Sequence, residues 1–389
     1  DRGDVQPRLL PGVLMPLSVL VRDRAWRRVG LIRAIRSATG VEVNNGTSRC
    51  QLEVDHDVPG VNELSAPGAR FEVYRDGTLL NAYRMVETVW RGPGRLGTAT
   101  IEGSSYSDLL DRLVGYPSPT QTIPSGTAGT FTAAYDVRTG PAETVIKGAI
   151  TAAANRIGEP VVVYPSQGRG TTTRVDLRVG NLADELYPKA DAAGVCVRVT
   201  PDPGGVGYLV DVVSRGQIGM VLTETMPIVA DWELTVKAPG ASRVLVGGQG
   251  EKVLRTFYAL TAGDGREGEW GARSEVFRDA RDADDNTVLA ARAAETLADT
   301  ASQYGISLRL VESSGFQWGA GYRLGDQVSV RVRGLLVADW IRQIEWSWPR
   351  DGGFTAAPIV GERKGTETQE LAGVVGAIVR RDRAGKAGR

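Results

Sequence analysis

Apolar and polar side chains alternate along much of the first hundred residues. Phe71 and Val73 interleave with Glu72 and Tyr74, and turn dipeptides such as Asn45-Gly46 and Asp76-Gly77 separate the runs. A period of two puts successive side chains on opposite faces of a strand, so strands are expected at 29–37, 48–54 and 84–90. Residues 17–101 as a whole read as a small barrel or sandwich. A short helix follows at 105–113, with Ser105 as its cap and Leu109, Leu110 and Leu113 on one face.

The pattern then changes. Residues 116–140 are rich in Pro, Gly, Ser and Thr and mark a first domain boundary. Pro141 suits a first helical turn, and Val145, Ile146, Ala149, Ile150 and Ala153 form a stripe at helical spacing. A buried strand at 161–164, a second helix at 182–193 disturbed by Pro188, and alternating strands at 195–199 and 208–213 make 140–214 an α+β module. From Trp232 strands return, clearest at 243–246 and 254–260. A polar Gly-rich loop at 261–271 leads into the longest helix, 285–304, which Asp285 caps and Gly305 ends. Strands at 308–310, 328–332 and 341–348 follow, with Val328, Val330 and Val332 set against Ser329, Arg331 and Arg333 as in a half-buried antiparallel sheet. Past Gly361, Leu371, Val374, Val375, Ile378 and Val379 form one apolar helical stripe ahead of a basic end. Such a short helix is marginal alone in water, so this stripe needs a surface to lie on.

Two segments echo each other. Residues 73–90 run from a strand through Arg75-Asp76-Gly77, Leu79-Leu80-Asn81-Ala82 and Tyr83 to Trp90. Residues 330–346 run from a strand through Arg333-Gly334, Leu335-Leu336-Val337-Ala338 and Trp340 to Trp346. Either hairpins of similar burial converge on similar words, or the chain holds two structural copies of one β domain.

Composition narrows the function classes. The chain has 389 residues, enough for several domains, and its 46 basic residues balance its 46 acidic ones. That balance gives the whole molecule no electrostatic reason to bind nucleic acid or a membrane surface. Cys50 and Cys196 stand in no metal-type spacing and read as free thiols. The apolar run 9–21 is short, is broken by Pro11 and Pro16, and reads as an N-terminal arm and not as a signal peptide or membrane span.

Candidate chemistry is sparse. His56, the only histidine, lies in Asp55-His56-Asp57 beside a Pro-Gly turn and reads as a solvated loop residue. Asp279, Asp282, Asp284 and Asp285 lack the Gly and closing Glu of a calcium loop and precede a helix start, which favours acids. Gly247-Gly248-Gln249-Gly250-Glu251-Lys252 has neither the spacing nor the following helix of a phosphate loop and reads as a turn. Asn45-Gly46-Thr47 fits a glycosylation acceptor, but it is also a turn. No catalytic, cofactor-binding or metal-binding residue is assigned, and no cofactor is expected.

The order of elements resembles the hub or minor tail proteins of siphophages that infect actinobacteria, tail-tip proteins related to the central hub of contractile tails. The likeness covers 17–361 and rests on the opening strands at 17–54, on Gly140-Pro141-Ala142-Glu143-Thr144-Val145-Ile146, and on Asn181-Leu182 through Gly194-Val195. Its clearest words are Trp270-Gly271-Ala272-Arg273-Ser274-Glu275-Val276-Phe277-Arg278-Asp279 and Gly321-Tyr322-Arg323-Leu324-Gly325-Asp326-Gln327-Val328.

The resemblance implies a mainly β fold with α+β insertions: two tube-type β-barrel domains, smaller insertion domains and a C-terminal helix. In that scheme 1–115 hold the arm and first barrel, which 208–235 could complete, and 116–214 form the α+β insertion. Residues 215–360 form the second barrel with a helical insertion at 270–305, and 361–389 the tail. The implied function is structural and not enzymatic: a homotrimeric ring at the virion tail tip, assembled in the host cytoplasm, that joins the six-fold distal tail to a three-fold fibre or spike. The implied partners are the distal tail protein, the tape-measure protein and fibre or spike proteins. DNA is met only in transit, and no stable membrane contact is implied. Leu371, Val374, Val375, Ile378 and Val379 are candidate docking residues for the trimer axis or a fibre protein. The competing readings are a tail-borne glycosidase of the carboxylate type and a module that binds host-wall carbohydrate.

Overall fold

The computed structural model describes residues 17–93, 97–283, 285–301, 303–350 and 353–361. The start of the expected N-terminal arm and the stripe from Leu371 to Val379 lie outside them. The described residues form two compact units, one from 17–231 with 308–360 and one from 232–307.

The first unit is built on a large, mostly antiparallel sheet. Its first seven strands are β1 (Ser18–Arg22), β2 (Arg28–Ile32), β3 (Ser37–Val43), β4 (Arg49–Asp55), β5 (Arg70–Arg75), β6 (Thr78–Arg91) and β7 (Thr98–Ser105). They lie in the order β3-β4-β7-β6-β5-β1-β2, and the strand Leu335–Trp348 adds to the free side of β3 with Trp346 opposite Gly40. Alternation is realised as expected: Val19, Val21, Leu52, Val54, Phe71 and Val73 are buried. Close packing requires glycine at Gly40, because a β-carbon there would sit 2.4 Å from the Trp346 ring. The architecture is mainly β with several sheets, none of which closes on itself among the described residues.

The echo in sequence corresponds to two like hairpins. Asp76 and Gly77 turn β5 into β6 with φ of 48° and 81°, and Arg333 and Gly334 turn Gln327–Val332 into Leu335–Trp348 with φ of 52° and 82°. Two left-handed residues in a two-residue loop match the natural twist of paired strands. Each second strand is 14 residues long and changes partner midway at an irregularity. β6 leaves β5 for β7 near Met85, and Leu335–Trp348 leaves its hairpin mate for Thr355–Val360 near Ile341. The likeness stops at the next strand out. β5 is flanked by antiparallel β1, whereas Gln327–Val332 is flanked by the parallel strand Gln217–Thr223.

In the α+β module the helices Ala142–Ile157 and Leu182–Ala192 bury Val145, Ile146, Ile150, Leu182 and Leu186 against Val197, Val210 and Val212. Asn181 caps the second helix by accepting from the Ala183 N–H. Trp26, Tyr106 and Tyr208 meet edge to face at 4.9 to 5.7 Å and join this core to the large sheet.

The second unit has a three-stranded sheet, with Arg243–Gly247 between Phe257–Thr261 and Glu275–Asp279. The helix Asn286–Asp299 covers one face with Leu289, Ala293 and Leu297, and Asp285 accepts from the Thr287 N–H as its cap.

Several expectations need correction. Residues 106–112 form a tight 3-10 helix, and Ser105 does not cap it because its hydroxyl accepts from the Ser48 N–H. The expected longest helix stops at Asp299, since the chain re-enters a strand, Gln303–Leu310, that contains Gly305; Ala142–Ile157 is longer. The strand near 161 spans only Val161–Val163 and is partly exposed because it pairs on one side alone. Where a strand is expected at 254–260, Leu254 ends the 3-10 turn Lys252–Leu254 and the strand begins only at Phe257, spanning Phe257–Thr261.

Candidate assembly site

β3 carries its small residues inward at every second position, Ala38 and Gly40, and then a buried acid, Glu42. Its carboxylate accepts from the Tyr83 hydroxyl and Asn81 amide of β6 and, at 2.9 Å, from the Trp346 indole N–H. β4 and β7 lie between β3 and β6 in the sheet, so the sheet must curl for these groups to meet. One side chain thereby ties the first echo hairpin, through Tyr83, to the second, through Trp346. Burial pushes the Glu42 carboxyl above the ordinary range even though Tyr83, Trp346 and Asn81 donate to it. Burial and the neighbouring Glu42 also raise the Cys50 thiol, which keeps it protonated and inert.

A second junction holds the α+β module. Asn45, in the left-handed turn after β3, donates from Nδ2 to Asp191 at 2.8 Å and to the Val195 carbonyl at 2.9 Å. Its Oδ1 accepts from the Val197 N–H at 2.8 Å. Asp191 also receives Arg215, whose guanidinium lies 3.9 Å from the centre of the Trp340 ring. With both ends of its amide committed, Asn45 works as a clamp and not as a glycan acceptor. Asn45→Ala removes three bonds across the junction and is expected to cost about 2–3 kcal/mol, read as a fall in denaturation midpoint. A midpoint unchanged within error would show that the clamp is idle.

The remaining candidates for chemistry are held in structural contacts. The His56 ring lies 4.8 Å from that of Trp90, and Asp55 receives Arg36. Asp279 is paired with Arg255 and Arg281, Asp282 with both terminal nitrogens of Arg292, and Asp285 caps a helix. In the glycine loop the Gly248 N–H goes to Thr256 and the Gln249 N–H to Ala283, so these donors face the protein and not an open cradle. A groove of about 760 Å³ runs between β1, β2 and the turn at 202–206. Its floor acid, Glu72, is spent on Arg22 Nε and the Tyr74 hydroxyl, each at 2.5 Å. Burial, followed by Glu72, raises the Tyr74 phenol far above its ordinary range. Only Asp202 is left among the acids lining the groove, so it offers no free carboxylate pair.

The family described as Siphovirus ReqiPepy6 Gp37-like protein matches residues 18–362. The chain belongs to that family. Solved structures similar to this Gp37-like chain include the prophage tail protein gp18 from Listeria monocytogenes EGD-e, with a TM-score of 0.54 and 10% identity over 93% of this chain and 99% of that one. The 43 kDa tail protein of prophage MuSo2 from Shewanella oneidensis aligns with a TM-score of 0.53 and 14% identity, over 88% and 98% of the two chains. The tail protein from Neisseria meningitidis MC58 aligns with a TM-score of 0.50 and 12% identity, over 89% and 97%. At these identities the likeness establishes a shared fold, and that fold is one of phage tail proteins. No curated protein sequence matches the chain.

Two strands of the large sheet each have a single partner among the described residues and expose apolar side chains. β2 pairs with β1 and exposes Val29 and Leu31, while Gln217–Thr223 pairs with Gln327–Val332 and exposes Met220 and Val221. An apolar strand edge with unpaired backbone groups is a ready surface for another chain. None of these edge residues stood out in the sequence, because an edge strand and an inner strand share the same alternation.

Proposed function

We propose that this chain is a structural hub of a long-tailed phage tail tip, and that its work is geometric and not catalytic. The observation that carries the reading is the pair of like hairpins in one curled sheet, joined through Glu42, in a chain of a siphovirus family with the fold of tail proteins. A sheet that curls without closing leaves edges that other strands can extend, and sister copies would supply them at the β2 and Gln217–Thr223 edges. Three copies would then set six similar tube-type barrels around an axis, a means of joining a six-fold tail to a three-fold fibre or spike. The first barrel would use 1–115 and the second 215–360, with 116–214 and 270–305 as outer insertions. The distal tail protein above, the tape-measure protein in the lumen and a fibre or spike below would be its neighbours in the virion tail, with DNA passing through. Leu371, Val374, Val375, Ile378 and Val379 would serve as a docking element in that assembly.

Quantitative mass spectrometry of purified tails is expected to count three copies of this chain per tail tip. Light scattering of the isolated ring would give three times the 41.6 kDa chain mass. Six copies or one per tip, or turnover of a host-wall glycan by the purified chain, would refute the hub reading.

A further inference from the structure

On the opposite side of the two hairpins the likeness continues. β6 pairs with β7 at Met85 and Gly103, skips Val86, and resumes at Glu87 and Glu102. Leu335–Trp348 pairs with Thr355–Val360 at Ile341 and Val360, skips Arg342, and resumes at Gln343 and Ile359. From that shared irregularity the strands match position by position, so Trp90 opposite Ala99 is the counterpart of Trp346 opposite Ala356. The strands further out match too. β7 is followed by β4 and then β3, and Thr355–Val360 by Gln303–Leu310 and then Val229–Lys237.

The two tryptophans differ in their cover. β3 lies antiparallel along Leu335–Trp348 from Ala38 to Val43, sets Gly40 against the Trp346 ring and leaves that residue 3% exposed. On the corresponding side of β6 no strand lies along Glu87 to Arg91 among the described residues, and Trp90 is 45% exposed. Val229–Lys237 holds in the second half the place that β3 holds in the first. Its start is fixed in the first unit, where the Val311 N–H donates to the Ile228 carbonyl at 2.9 Å. Among the described residues it pairs with Gln303–Leu310 alone and ends the sheet. One half thus offers a slot, and the other offers the strand that fills such a slot.

We propose that Val229–Lys237 of a second copy of this chain adds antiparallel to β6 along Glu87 to Arg91 and covers Trp90. The joint between β3 and Leu335–Trp348 inside the chain is its pattern. A strand added at a free edge gains main-chain hydrogen bonds, and burial of a half-exposed indole adds to them. Slot and filling strand stand at opposite ends of a run of eight strands that does not close, so the contact is head to tail and repeats from copy to copy. In the three-copy ring, joints within and between chains would alternate, besides the two edges named above.

This inference rests on the assembly reading and is tested apart from it. Hydrogen exchange on the unaltered protein is expected to be about tenfold slower at the amides of 87–91 in purified tails than in the monomeric chain, with 343–348 slow in both. Photoreactive benzoylphenylalanine in place of Trp90 is expected, in such tails, to give covalent dimers of this chain joined within residues 229–237. Exchange at 87–91 as fast in tails as in the monomer, or crosslinks to any other segment or protein, overturns the proposal. Three copies per tip without that protection would remove only this joint. The joint together with another copy number would remove only the three-fold hub.

Discussion

Glu42→Ala lowers the stability of the first unit by about 3–5 kcal/mol, the cost expected when a buried acceptor is withdrawn from several donors at once. Tyr83, Asn81 and the Trp346 indole would each lose their common partner in a space closed to water. Far-ultraviolet circular dichroism during urea denaturation reports the loss, and a change below about 1 kcal/mol would show that the donors find other partners. Glu42→Gln separates shape from charge. Because burial raises the folded carboxyl above its unfolded value, the native state holds the Glu42 proton more tightly than the unfolded chain does. Stability from this group is therefore complete below the ordinary carboxylate pKa and is lost as pH rises through the raised folded value. The glutamine variant cannot titrate, so it is expected to keep most of the stability and lose that slope. A slope identical in both proteins would assign the pH dependence to another group.

The second large effect belongs to the α+β module. Lys147 donates to Glu143 and Asp211, each at 2.6 Å, and Glu143 also accepts from the Arg169 N–H at 2.8 Å. Burial pushes the Glu143 carboxyl up, but Lys147 and the backbone N–H groups of Arg169 and Gln167 outweigh it and hold it below the ordinary range. Lys147→Ala leaves that buried acid with only the longer Arg169 guanidinium contact at 3.4 Å and is expected to cost about 3 kcal/mol near neutral pH. The pH response tells this from simple loss of packing. In the parent chain the contribution of Glu143 is present above the ordinary carboxylate pKa and fades as pH falls through the lowered folded value. Without Lys147 the folded pKa is expected to rise, so acidification relieves the variant. Its deficit in urea midpoint is thus expected to shrink towards about pH 4, and a constant deficit would contradict the pairing argument. The double change Glu143→Leu with Lys147→Met removes both charges and is expected to recover much of the loss.

Neither buried acid stood out in the sequence, although each left a trace there. Glu143 and Lys147 are spaced i, i+4 at the start of a helix whose apolar stripe was plain, a spacing that usually describes a solvated surface pair. Glu42 follows Ala38 and Gly40 on the inward period of β3, where alternation alone calls for an apolar residue. An acid at such a position marks a required set of donors, but it does not say which strand brings them. The helix stripes at 145–153 and 289–297 were legible because all of their spacing is local. The end of the last helix was not, since the strand Gln303–Leu310 claims its expected final turn.

Sequence by itself determined the hairpin turns at Asp76-Gly77 and Arg333-Gly334, the faces of the alternating strands and the two-helix α+β module. Tertiary structure alone decided which strands lie side by side, where the two long strands change partners, and that Glu42 meets a tryptophan 304 positions away. The physical reason is that a period of two records only which side of a strand is dry. Neighbours and curl are set by side chains that meet across the sheet, and no local spacing encodes such meetings.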